Sequence, residues 1–561
     1  MMFYNLLTPG IFLMLASIPL SFVSKKFYKY ATVILLLLSY SVLCVGANTW
    51  DFYWYEQFLF SDERILFILT SIFFSILLIS IPIFFSDKKR IPQNMPLLFI
   101  YVGATTSILF TKNLLCIVFF LEIMMVSATL LIFSKKDELS KAEGLNYFRF
   151  HILGGTLLLI GVISYYLKYN TFEFSLFDKD NFYDFSAICI LVGLLINFAV
   201  PPFSSWLLGG YMVVPSYIGL IFAVCTTKIS ALLMMQLFAG WNSLIFIGIL
   251  TSIYGVIYSI IENNIRRMIL YFIIAELGVI LIFIGIGEKV MSTALIFIIN
   301  DLLCIPTILC AANFIIHFFK KEKLSEIKKT FSGTKLVLFL ISMSLFSIAS
   351  LPFTLGYISK KYLHSTEYFS KAHWLPHVLD LLCGGIVFAI CFKFIVFIFF
   401  RNFSSKQTVR SKMKKLDFKE HCAYIFALIV LYVGLFSLTV YFLTILGTDI
   451  IEFDSFFLGQ LQHVLIVGVA FFLLRKHLIY NRDMYLYDPN VFYLNIGKRI
   501  CERIIVITIY LGELVNLINL QSINAQLYAS LSSKKYGCTR GIGCGIALAI
   551  VLLFFVLSLL K

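Results

Sequence analysis

Apolar residues run through this chain in stretches of about 18 or more, broken by short polar segments, the length a helix needs to cross a bilayer. The pattern predicts spans at roughly 4–23, 30–47, 64–85, 96–111, 114–133, 148–168, 184–209, 213–238, 243–262, 268–286, 290–319, 334–362, 375–400, 421–446 and 456–475. Region 476–540 is less apolar; its stretch CERIIVITIYLGELVNLINL (501–520) has the character of an interfacial segment, and 543–560 reads as a final apolar run. The expectation is an all-α polytopic membrane protein with about 14–16 transmembrane helices. Two spans contain proline, LLINFAVPPFSSWLL (194–208) with Pro201 and Pro202, and LFSIASLPFTLGYISKKYL (345–363) with Pro352, and both should be interrupted there.

Composition fits this class. Of 561 residues, 60% are hydrophobic and 13% charged, about half the charged share of a soluble protein. The net charge of +15 does not indicate a nucleic-acid partner, because its basic residues sit in loops such as SKKFYK (24–29), SDKKR (86–90), SKKDELSK (134–141) and KKEKLSEIKK (320–329). The span list puts these loops on one side and the acidic or aromatic loops, such as 173–184 and 447–455, on the other. By the positive-inside rule the basic side is cytoplasmic and the N-terminus outside. The first span has no basic n-region or small-residue cleavage site and reads as a retained helix. The twelve cysteines lack C-x-x-C pairing and read as small apolar residues, leaving no metal site. GIGCGIALAI (541–550) lacks the strand that precedes a phosphate loop and reads as small-residue helix packing.

Candidate chemistry therefore lies in the polar residues within spans. These are Glu122 in CIVFFLEIMMVSATLLIF (116–133), Lys228, Glu276, Asp301 and Lys393, with His151 near a span start. Such residues are costly at membrane depth and mark ion pathways, proton relays or structural pairs. A carboxyl and an amine sharing a low dielectric couple their protonation, since desolvation opposes both charges and mutual attraction favours them. Blander readings stand beside this one. Lys393 lies near a basic loop and can snorkel. Glu276 and Asp301 can be local hydrogen-bonded contacts, and His151 a packing residue.

The order and wording of these segments resemble the proton-conducting antiporter-like subunits of NADH:quinone oxidoreductase, membrane-bound hydrogenases and multisubunit monovalent cation:proton antiporters. FLEIMMVSATLLIF (120–133) resembles the family's glutamate helix, followed by KAEGLNYFRFHILGGTLLLIG (141–161). LVGLLINFAVPPFSSWL (191–207) resembles its broken helix, and CTTKISAL (225–232) its helix with a central lysine. YGVIYSIIENNIRRMILYFIIAELG (254–278) and SIASLPFTLGYISKKYL (347–363) resemble later family segments. The wording is most similar to an α-proteobacterial branch of the D-type subunits of sodium:proton antiporters, which also shares FFLGQLQHVLIVGVAFFLL (456–474). The resemblance covers roughly 95–490.

The resemblance implies an antiporter-like fold in a bacterial inner membrane and a place among other subunits of an antiporter or respiratory complex. Protons and Na+ would be the transported ions. Translocation would use Glu122, Lys228 and Lys393, with Asn197, Glu276, Asp301 and His151 as possible relays. It implies N-terminal helices in 1–94, a translocating core in 95–400, additional helices in 401–490, and an amphipathic segment and last helix in 491–561. No flavin, nicotinamide or iron–sulfur motif is present, so no cofactor is expected and redox chemistry would belong to partners. Three departures stand out. Asn197 occupies the place of the family's broken-helix lysine, and Asp301 and Ile305 that of a histidine and a lysine. Asn313 replaces a neighbouring glycine. The relay between the halves is then either altered, with Asp301 and Glu276 as substitutes, or decayed. A scaffolding subunit without transport and a stand-alone solute transporter are the competing readings.

Overall fold

The computed structural model describes residues 8–446 and 462, apart from 25, 50–58, 61, 88–90, 178–183, 288–289, 327–333, 365–373 and 396–414. The described chain is a bundle of α-helices. The first six are α1 (Pro9–Phe22), α2 (Tyr28–Thr49), α3 (Glu63–Ser86), α4 (Asn94–Leu109), α5 (Leu114–Phe133) and α6 (Glu138–Tyr169). They are followed by α7 (Phe185–Asn197), α8 (Ser205–Val213), α9 (Ser216–Phe222), α10 (Thr226–Leu237), α11 (Asn242–Ile261) and α12 (Ile265–Ile286). The last are α13 (Met291–Phe319), α14 (Thr334–Ile348), α15 (Leu355–His364), α16 (Trp374–Ile395) and α17 (Lys415–Leu446). Among the described residues, eight helical stretches are long and apolar enough to span a membrane, and six shorter apolar helices accompany them.

Short polar side chains start several of the helices. Asn113, Asp137, Asp184 and Asn264 each accept amide hydrogens from the first turn that follows, supplying acceptors the helix itself lacks. Asp137 explains why α6 begins about ten residues before the span expected at 148, within the polar loop. Spans 184–209 and 334–362 are interrupted where the prolines lie. Ala199 has φ 61° before Pro201–Pro202, and Ser350 (φ 59°) and Phe353 (φ 66°) flank Pro352. A third interruption, at 223–225, divides the expected span 213–238 into α9 and α10, although no proline or glycine occurs at those positions. Span 456–475 and the segments beyond it lie outside the described residues, 462 excepted.

The middle of the chain contains an internal repeat. Helix α5 starts at Asn113, which forms an antiparallel bridge with Glu173 beyond α6; α12 starts at Asn264, bridged in the same way to Lys323 beyond α13. The long second helices α6 and α13 both end in left-handed residues, Asn170 and Lys320. A broken helix follows in each case, α7–α8 and α14–α15. Counting α7–α8 and α9–α10 as one span each, four spans lie between α5 and α12, so the repeats run in opposite directions, the inverted arrangement found in transporter folds. Helix α12 is buried from Met268 to Ile286. It lies against α11 through small residues, since a Cβ on Gly278 would strike the backbone of Gly248 and Ser252. Helices α3 and α17 both pack on α13, so among the described residues an N-terminal helix and the last helix both lie against the core.

Candidate functional site

The polar residues form two groups. In the first, Glu122 is half-buried on α5. Its Oε1 occupies the space that a Cβ on Gly155 of α6 would need, so glycine there is what admits the carboxyl. Beside it, a Cβ on Gly154 would meet Asn197 Oδ1 and the carbonyl of Gly193, so α7 also packs closely. His151, one turn earlier on α6, lies between two rings: its centroid is 4.1 Å from Tyr147 and 4.5 Å from Trp206. Asn197 is its polar neighbour. Among the described residues His151 Nε2 and Asn197 Oδ1 have no hydrogen-bond partner. Trp206 Nε1 donates to the Ile196 carbonyl at 3.0 Å, joining the Ala199 amide on a carbonyl at the helix break.

The second group is fully buried. Lys228, in the first turn of α10, forms an ion pair with Asp301 of α13, and both side chains have 1% exposure or less. The break before α10 determines where this lysine sits. Lys360 of α15 pairs with Asp380 of α16 at 3.0 Å. Glu276 of α12 lies within the electrostatic reach of Lys228, Asp301 and Lys360. Asn300 Oδ1 accepts from Ser347 Oγ at 2.6 Å, joining α13 to the helix before the second break. Between the two groups, the buried hydroxyls of Tyr101 and Thr226 are hydrogen-bonded, with Tyr147 and Tyr211 also next to Thr226.

The sequence candidates are thus divided. Glu122, His151 and Asn197 surround the first break with Pro201 and Pro202. Lys228, Glu276 and Asp301 meet near the second, which contains Pro352. Lys228 has Asp301 as its counter-charge, and Glu122 lies apart from that pair. Lys393 is on α16, with its side chain outside the described residues. Sequence reasoning missed Lys360 and Asp380. Both left a signal: Lys360 ends the segment that begins at the second break, and Asp380 is an acid inside an apolar run. A buried pair of this kind is costly to assemble and far costlier to leave with one partner, so four such residues at membrane depth indicate ion chemistry more readily than added stability.

Residues 111–379 match the family model for the transmembrane domain of NADH:quinone oxidoreductase and Mrp antiporters. The N-type subunit of NADH-quinone oxidoreductase from Pelagibacter ubique is 27% identical over 301 residues, which is 50% of this chain and 63% of that protein. The D-type subunit of the Na(+)/H(+) antiporter from Bacillus subtilis is 22% identical over 354 residues, 60% of this chain and 71% of that protein. The match to the Pelagibacter protein thus spans less than two thirds of its length. Among solved structures, a chain of the Mrp complex from a Dietzia species superposes with a TM-score of 0.58 at 14% identity, covering 80% of this chain and 100% of that one. A chain of Thermus thermophilus respiratory complex I has a TM-score of 0.58 at 17% identity, covering 76% and 97%. These likenesses establish the antiporter-like fold. With the two broken helices and the buried acids and lysines, they identify the chain as a multi-span membrane protein of antiporter-like fold, whose residues 111–379 match the NADH:quinone oxidoreductase/Mrp antiporter family.

Proposed function

We propose that this chain is the ion-translocating subunit of a multisubunit monovalent cation:proton antiporter, or of a related NADH:quinone oxidoreductase-type assembly, in a bacterial inner membrane. Glu122 and Lys228 carry the translocated proton, Asn197, His151, Glu276 and Asp301 serve as relay positions, and Lys393 lies toward the far exit. The core is 95–400, with N-terminal transmembrane helices in 1–94, additional ones in 401–490, and an amphipathic segment and last helix in 491–561. Basic loops face the cytoplasm and the N-terminus lies outside.

The observation that carries this reading is the Lys228–Asp301 pair, wholly buried in a helix bundle interrupted at three places. Broken helices at membrane depth are tolerated where protein or a water-lined cavity satisfies the freed backbone, and they bring polar groups to the bilayer midplane. Glu122 supports assembly with further subunits. It lies beside the outward apolar stripe of Leu115, Phe119, Val126 and Leu130, and an acid so placed is poorly suited to lipid and well suited to a protein neighbour. The Pelagibacter and Bacillus relatives, each a subunit by name, agree with membership of such an assembly.

Proton or Na+ flux in vesicles holding the whole assembly tests the reading. A Glu122→Gln protein that assembles should lose most of its flux. Unchanged flux would remove Glu122 from the pathway and favour the scaffolding alternative, to which Asn197 and Ile305 lend support by replacing expected lysines.

A further inference from the structure

Glu276 is completely buried on α12, and among the described residues neither of its carboxyl oxygens has a hydrogen-bond partner. The groups facing it come from four elements. They are Lys228 on α10, Asp301 and the Cys304 thiol on α13, Lys360 on α15, and the Cys383 thiol on α16. The ionisable side chains of α11, on the opposite face of α12, are Tyr254 and Tyr258, which pack on Tyr271 more than one turn away. Helix α8 contributes Tyr211, whose hydroxyl donates to the Phe222 carbonyl.

Charge balance at this junction is uneven. Lys228 already has Asp301 as its counter-ion, and Lys360 has Asp380. Among the described residues, Glu276 is a third acid beside two bases. Asp301 Oδ1 and Asn300 Nδ2, both buried nearby, also lack hydrogen-bond partners among the described residues. A carboxylate left unpaired in such a setting is strongly disfavoured, so one more positive charge must accompany the cluster. The repeat adds a second argument. Glu276 is the acid of α12 as Glu122 is of α5, twelve residues after Asn264 where Glu122 is nine after Asn113, one helical turn deeper.

We propose that Glu276 is a one-cation site at the junction of the two repeats, holding a single monovalent cation, a proton or a sodium ion, that exchanges between the Lys228–Asp301 and Lys360–Asp380 pairs. When the occupant is a proton, it sits on a Glu276 oxygen and leaves the carboxylate behind as it moves on. When it is a sodium ion, the ionised carboxylate holds it with no covalent change. This assignment rests on the translocating function proposed above and locates the exchange step within it.

The test uses the full-length chain in its assembly. Protonated carboxyl is read by its infrared band with and without Na+, and bound Na+ by equilibrium binding of radiolabelled ion. Glu276→Gln should lose one cation equivalent per chain, as protonated carboxyl if the occupant is a proton and as bound Na+ if it is sodium. Glu276→Asp should keep it. Lys360→Met, which leaves three acids with one base, should gain a further equivalent. These two variants also keep the test decisive if Glu276→Gln does not fold. A wild-type count in Glu276→Gln by both measurements, or no gain in Lys360→Met, would overturn the site. Glu122→Gln flux is a separate readout: if it stays unchanged while Glu276→Gln loses its equivalent, the cation site stands and the transport reading falls.

Discussion

Lys228 of α10 has its counter-charge in Asp301 of α13, while Glu122 lies against Gly155 of α6. The acid predicted to be essential and the central lysine therefore belong to different polar groups, with a layer of buried hydroxyls between them. A proton moving from one to the other has to cross that layer.

The pair makes a first prediction. Asp301→Asn removes the acid bonded to the Lys228 ammonium and leaves Glu276, which makes no hydrogen bond among the described residues, as the carboxyl within its reach; losing the bonded partner of a buried pair costs up to roughly 3–5 kcal/mol. Thermal unfolding in detergent should show a loss of this order. Adding Lys228→Met should recover most of it. A double variant as unstable as the sum of the two single changes would contradict the pairing.

Gly155→Ala separates stability from transport. Alanine favours the helix by about 1 kcal/mol over glycine, whereas crowding at a packed site costs about 1–3 kcal/mol. Stability should therefore change little. The added methyl drives the Glu122 carboxyl from its seat, so flux should fall about tenfold, equivalent to about 1.4 kcal/mol in the barrier. Wild-type flux in an assembled Gly155→Ala protein would mean that the position of Glu122 does not matter.

Trp206→Phe keeps an aromatic ring, though a smaller one, and removes the Nε1 donor to the Ile196 carbonyl. The Ala199 amide still bonds that carbonyl at 3.1 Å, so the lost hydrogen bond should cost about 0.5–1.5 kcal/mol. Amide exchange at the end of α7 should rise with it. Unchanged exchange would show that the bond does not hold the first break.

Outside the membrane, Asp137 caps α6. The Ser140 amide bonded to its carboxylate holds its pKa down to about 2 from an ordinary 3.8. A depressed carboxylate pKa stabilises the folded form above the unfolded value, and that contribution disappears as pH falls through the folded one. Protection of the Ser140 amide should therefore persist at pH 4 and be lost on the way to pH 2. Asp137→Ala should lack this pH-dependent step.

Much of the fold was legible because charge and apolar length are local signals. Span 114–133 coincides with α5, and Pro201, Pro202 and Pro352 marked two breaks. The third break was not legible, because AVC (223–225) contains no proline or glycine and the interruption depends on packing. Glu122, Lys228, Glu276 and Asp301 were found as charges in apolar runs. Which acid meets which lysine could not be read, since the partners in Lys228–Asp301 are 73 residues apart and meet only through helix packing. Lys360 was hidden by its position beside Lys361 at the polar end of a span. The tertiary structure shows it turned inward to Asp380.

The most direct test of the central claim is proton flux through sealed vesicles carrying the intact assembly, measured for Lys228→Met with Asp301→Asn beside the wild type. This double change keeps the core neutral and packed while removing its central ion pair. If the buried acids and lysines form the pathway, the assembly should remain intact and flux should fall at least about tenfold, roughly 1.4 kcal/mol in the barrier. Wild-type flux through an intact double-variant assembly would contradict the account.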